Sequence, residues 1–92
     1  MMTVVSPDRI RAMGVRDESE VRAMAIVEWR RALASSSSAV LVCGAPGAGK
    51  TTWVQQHARP GVAYYDGTLT HRATRAQLLR MAEQAGIPAR IV

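Results

Sequence analysis

Ala39-Val40-Leu41-Val42-Cys43-Gly44-Ala45-Pro46-Gly47-Ala48-Gly49-Lys50-Thr51-Thr52 decides the fold of this 92-residue chain. Its first five residues are an uninterrupted apolar run, the pattern of a strand buried on both faces. The next eight satisfy G-x-x-x-x-G-K-[ST], a phosphate-binding loop between a strand and a helix. Glycines let the backbone bring its N–H groups close to phosphate oxygens. The helix that follows turns its unpaired N–H groups and positive dipole end toward the same anion. Lys50 is expected to neutralise the β- and γ-phosphates, and the Thr51 hydroxyl to ligate Mg²⁺, a hard cation that prefers oxygen. Residues Gly44, Ala45, Pro46, Gly47, Ala48, Gly49, Lys50, Thr51 and Thr52 are therefore the expected binding residues for a nucleoside triphosphate, ATP with Mg²⁺.

Downstream, a helix is expected from Lys50 to Ala58 and a turn at Pro60-Gly61. A second strand, Val62-Ala63-Tyr64-Tyr65, ends at Asp66. Thr70 is placed to cap a helix over His71–Ala85, with Leu78, Leu79, Ala82 and Ala85 as its apolar stripe. Arg75 interrupts that stripe, so the first turn is expected to be exposed. Gly86 and Pro88 stop the helix, and Arg90-Ile91-Val92 begins another strand. Strand, helix, strand, helix, strand specifies an α/β fold with a parallel sheet. The expectation is a partial P-loop NTPase sheet of about three strands with crossover helices.

Upstream, Ser6-Pro7-Asp8 reads as a helix start, with a cap, a proline at the first position and an acid in the first turn. A second helix starts at Asp17, paired with Glu20 in a capping-box-like pattern. Val21, Ala25, Trp29 and Leu33 form one ridge on it. The chain divides into an N-terminal helical segment (residues 1–34), a serine linker (35–38) and an incomplete nucleotide-binding domain (39–92). The helical segment either covers one face of the sheet or docks a partner.

Composition narrows the function classes. The chain is 48% hydrophobic and 21% charged, as expected of a globular domain, and contains no Phe. No apolar run approaches the roughly 18 residues of a membrane span. There is no signal-peptide pattern and only one cysteine, which point to the cytoplasm. Cys43 reads as a small buried hydrophobe. Arginine accounts for eleven of the twelve cations, and the single lysine is Lys50. The net charge of +5 fits either a nucleic-acid partner or solvated helix surfaces. No aromatic residues interleave with the arginines along the chain, which favours the solvated reading.

Asp66 ends a strand at the sheet edge where open α/β folds bind ligands. It is open to three roles: holding Mg²⁺, taking a proton from a substrate hydroxyl, or capping the loop that follows. Lys50 and Asp66 are the expected catalytic residues, and Thr51 and Asp66 the expected metal ligands. Thr68 and Thr70 read as caps. Arg59, Arg72 and Arg75 either touch phosphate or are solvated. His57 and His71 lack metal-ligand spacing and read as surface residues. Trp53 reads as packing.

Two stretches resemble the small P-loop kinases related to polynucleotide 5′-hydroxyl kinase and the zeta-toxin-like kinases. One is Gly44 through Trp53, similar to G-x-P-G-S-G-K-S-T-W. The other is Asp66-Gly67-Thr68-Leu69-Thr70, followed by Arg72 or Arg75 and then by Glu83-Gln84-Ala85-Gly86-Ile87-Pro88. The resemblance spans Val40 to Val92 and implies ATP-dependent phosphorylation of a hydroxyl acceptor, a polynucleotide 5′-end or a small molecule. It also implies a strand between the P-loop helix and Asp66 that carries the proposed base. Only His57–Val62 stands there, so both roles fall on Asp66. The family continues beyond this point with an Arg-bearing lid, so a shortened domain is expected, its open sheet covered by self-association or a partner chain. Three other classes stay open: a nucleotide-dependent binding module, a hydrolytic ATPase and an inactive remnant.

Overall fold

The computed structural model describes residues 3–42, 50–67 and 72–92. Among these residues eight elements follow one another: β1 (Thr3–Val5), α1 (Pro7–Ala12), α2 (Glu18–Ala34), β2 (Ser38–Val42), α3 (Lys50–His57), β3 (Val62–Asp66), α4 (Arg72–Gln84) and β4 (Ala89–Ile91). The strands form one parallel sheet in the order β1-β3-β2-β4.

The sheet has four strands, one more than the sequence reading expects. The addition is β1, which lies in the N-terminal helical segment ahead of its first expected helix start and pairs Thr3 with Ala63 and Val5 with Tyr65. Three residues ahead of a Ser-Pro helix start are too few to show a period, and the strand they pair with lies some sixty positions away.

Local chemistry explains the helix starts. Ser6 has extended dihedrals, and its Oγ accepts from the Arg9 N–H at 3.4 Å, with Pro7 opening α1. Asp17 caps α2 by accepting from the Ser19 N–H at 2.8 Å and the Ser19 hydroxyl at 2.6 Å. These bonds hold the Asp17 carboxyl below its ordinary 3.8. Arg11 then clamps the two helices together by donating to both Glu18 carboxylate oxygens, at 3.0 and 2.8 Å, and to Asp8 at 2.6 Å.

Alternation along the strands sorts the core onto two faces. Val5, Ala39, Leu41, Ala63 and Tyr65 join one cluster with Ile10, the expected α2 ridge, and Leu78 and Ala82 of α4. Val40, Val42 and Tyr64 face the other way and meet Val54 of α3. The N-terminal helices thus cover one face of the sheet. On α4 the first two residues are exposed and Arg75 half-buried; Ala85, expected in the apolar stripe, lies past the helix end and is exposed.

The crossover geometry follows from this sorting. β1 to β2 and β3 to β4 run across the sheet in one direction with their helices on the first face. β2 to β3 runs in the opposite direction with α3 on the second face. Reversing both direction and face preserves one hand, as parallel connections require.

Candidate functional site

Two strand ends and a helix start frame the expected phosphate site. β2 ends at Val42, and α3 begins at Lys50. The connection between them, Cys43 through Gly49, lies outside the described residues, as do Thr68, Leu69, Thr70 and His71. The expected contacts of Gly44, Ala45, Pro46, Gly47, Ala48 and Gly49 therefore fall on undescribed positions. Lys50 and Thr51 are the first two residues of α3, and Thr52 is exposed on its first turn. The strand and the helix that a phosphate-binding loop needs on either side are thus present around residues 43–49.

Asp66 stands on the strand beside that loop. It is the last residue of β3, and its register partner across the ladder is Val42. The Gly67 N–H donates to the Val42 carbonyl at 3.4 Å, extending the pairing one residue further. Asp66 is 8% exposed, a carboxylate withdrawn from bulk solvent at a strand end. Buried carboxylates need partners or a cation. Gly67 packs closely, since a Cβ there would lie 3.0 Å from Tyr65 Cε1 and 3.6 Å from Pro7 Cδ, so the Tyr65 ring would have to give way to a larger residue.

The neighbouring phenol, Tyr65, is buried and belongs to the core. Burial raises the Tyr65 hydroxyl above its ordinary 10.0, a rise opposed by the Arg11 charge and reinforced by Glu28. Its ring meets Trp29 edge to face, with centroids 5.6 Å apart. Tyr65 therefore serves the core directly beneath Asp66.

Other expectations resolve more simply. Trp53 is half-buried and stacked on His57, with centroids 4.5 Å apart and planes within 12°. It also meets Tyr64 edge on at 6.5 Å. Trp53 packs against the cluster on the α3 face while staying half-buried, and His57 is exposed as expected. Arg72 is exposed at the start of α4. Arg59 and Arg90 share a groove with these aromatic rings at the opposite edge of the sheet. That grouping is invisible in the sequence, because Trp53, Arg59, Tyr64 and Arg90 follow no common spacing.

Among the described residues no helix is long and apolar enough to cross a membrane. Set against protein-family models, curated proteins and solved structures, the chain matches none of them.

Proposed function

We propose that this chain binds ATP with Mg²⁺ through residues 44–52 and transfers the γ-phosphate to a hydroxyl acceptor. One observation carries the reading. The buried carboxylate of Asp66 sits in register with Val42, the last residue of the strand from which the G-x-x-x-x-G-K-T loop departs. A motif match by chance has no reason to bring a buried acid to the neighbouring strand end.

In this reading the first-turn amides of α3 and the Lys50 ammonium hold the phosphates. The donor set suits magnesium, which takes one or two protein oxygens and completes its shell with phosphate and water. Thr51 and Asp66 supply those oxygens. The ion, when bound, neutralises charge that builds on the phosphates during transfer. The acceptor oxygen forms a bond to the γ-phosphorus as the bond to the bridging oxygen of ADP breaks, and the acceptor proton leaves to solvent. Asp66 is assigned to the metal rather than to that proton, because its neighbours Gly67 through Thr70 resemble the nucleotide-side segment of the kinase family.

Calorimetric titration with ATP and Mg²⁺, run beside Lys50→Ala, tests the binding half. Wild type is expected to bind and the variant to lose binding; undiminished binding by the variant sinks the proposal. Transfer of label from γ-labelled ATP to hydroxyl acceptors tests the second half. Binding without transfer would leave a nucleotide-dependent binding module.

A further inference from the structure

The groove at the amino edge of the sheet has the makings of a second site. Its residues Ser38, Val62 and Ala89 each open a strand, whereas the glycine-rich loop leaves the carboxyl end of β2. The two places therefore lie at opposite edges of the sheet. The groove has a volume of about 290 Å³. That lies just below the roughly 300 to 1,000 Å³ usual for ligand pockets, which limits the ligand to about the size of a mononucleotide.

Its walls are aromatic and cationic. Tyr64, Val40 and Arg90 are register partners across β3, β2 and β4, so they form one row on the face that carries α3. Strands are spaced about 4.8 Å apart, so Arg90 stands about 10 Å along that row from Tyr64. Above the row, Trp53 and His57 present a stacked pair of rings. The Tyr64 hydroxyl donates to the His57 carbonyl at 3.0 Å and accepts the Arg59 N–H at 3.0 Å. That pair of bonds fixes the end of α3 and the start of the Arg59 side chain against the sheet. Among the described residues lining the groove there is no Asp or Glu, and both arginines are exposed. A guanidinium on an otherwise apolar strand face, with no acid lining the groove around it, is placed to pair with an external anion.

We propose that this groove binds a planar aromatic anion of mononucleotide size. The ring lies against the Trp53–His57 pair, and the anionic group is held by Arg59 and Arg90. Stacking on aromatic rings and bidentate pairing with guanidinium are the two contacts such a ligand offers. The inference stands apart from the ATP reading, since it uses no residue of the glycine-rich loop.

Adenosine 5′-monophosphate is the first probe, followed by calorimetry and by tryptophan fluorescence. Trp29 is fully buried, so a quench reports Trp53, and Trp53→Phe identifies the signal. Adenosine alone and inorganic phosphate alone are expected to bind more weakly than the joined molecule. Indole-3-acetate tests whether a carboxylate replaces the phosphate. Arg59→Ala and Arg90→Ala are each expected to weaken binding roughly tenfold, the worth of one charged hydrogen bond. Both are surface substitutions, and circular dichroism checks that the fold is kept. Lys50→Ala is expected to bind as wild type does.

Three results overturn the proposal. One is no quench and no heat with any probe. Another is binding that survives both arginine substitutions, or that disappears in Lys50→Ala, which would put the probe in the glycine-rich loop. The third is an Arg90→Ala variant that self-associates while binding the probe unchanged, which would make Arg90 a guard of the β4 edge.

Discussion

The indole N–H of Trp29 donates to the backbone carbonyl of Leu78 at 3.2 Å, joining α2 to α4 across 49 residues of sequence. Both side chains are fully buried, and both belong to the cluster beneath Tyr65 and Leu41. Trp29 lies in the segment before the serine run and Leu78 in the segment after it. Their bond shows that the N-terminal helices complete the core on which the sheet rests.

Trp29→Phe removes this bond and part of the ring while keeping an aromatic side chain in place. The expected cost is about 2 kcal/mol. For a domain of this size that lowers Tm by roughly 8 to 16 °C. Thermal denaturation followed by circular dichroism checks it. A Tm unchanged by the substitution would mean that α2 is only loosely tied to α4.

Gly86 ends α4 in a Schellman arrangement. Its own N–H donates to the Glu83 carbonyl at 3.0 Å, and the Ile87 N–H donates to Ala82 at 2.9 Å. Its φ is +73°, and a Cβ added there would meet nothing within 4 Å. Gly86→Ala should therefore cost about 1 kcal/mol, all of it torsional. Chemical denaturation measures this as a lower midpoint at unchanged slope. A larger loss would reveal a steric contact, and no loss would mean that the helix end relaxes.

Acid should loosen the α1–α2 corner first. The Glu18 carboxyl is lowered from its ordinary 4.5, chiefly by its hydrogen bond to Arg11, and Asp17 is lowered from 3.8 by its bonds to Ser19. A depressed carboxylate adds stability that is fully present above its unfolded value and is lost as pH falls through its folded one. The window therefore opens at about pH 4.5 and runs downward. Both groups are fully exposed, so the effect should be small and should shrink with added salt. Arg11→Gln should flatten the part of the acid slope due to Glu18. An unaltered slope in that variant would place the sensitivity elsewhere.

The fold is legible in the sequence wherever the local signal is strong. Ser6, Pro7 and Asp17 announce helix starts, and Gly86 with Pro88 announces a stop. The run from Ala39 to Val42 announces a buried strand, and the i+4 ridge on α2 names its buried face. β1 escapes because Thr3-Val4-Val5 becomes a strand only by pairing with β3, and no local pattern encodes that distant partner. The candidate sites divide in the same way. The phosphate-loop motif is contiguous and can be read directly. The register of Asp66 with Val42 needs the strand order, and the row Tyr64–Val40–Arg90 needs two registers at once. The reading that no aromatic residues interleave with the arginines fails in the folded groove, where Trp53 and Tyr64 share one lining with Arg59 and Arg90.

Asp66 carries the most discriminating substitution. Asn caps a loop or helix about as well as Asp but brings no charge. Asp66→Asn therefore preserves a purely capping role and removes a metal-binding one. Under the proposed function, the variant keeps its affinity for ATP in the presence of a chelator. It should lose the gain that Mg²⁺ confers on wild type, by about tenfold or more. Titrating both proteins with ATP, with and without Mg²⁺, gives the comparison directly. An identical Mg²⁺ effect in the two proteins would remove Asp66 from the metal. If phosphate transfer were then lost while Mg²⁺-supported binding stayed intact, Asp66 would be the base that receives the acceptor proton. If transfer also survived, the buried carboxylate beside Val42 would be a structural cap alone.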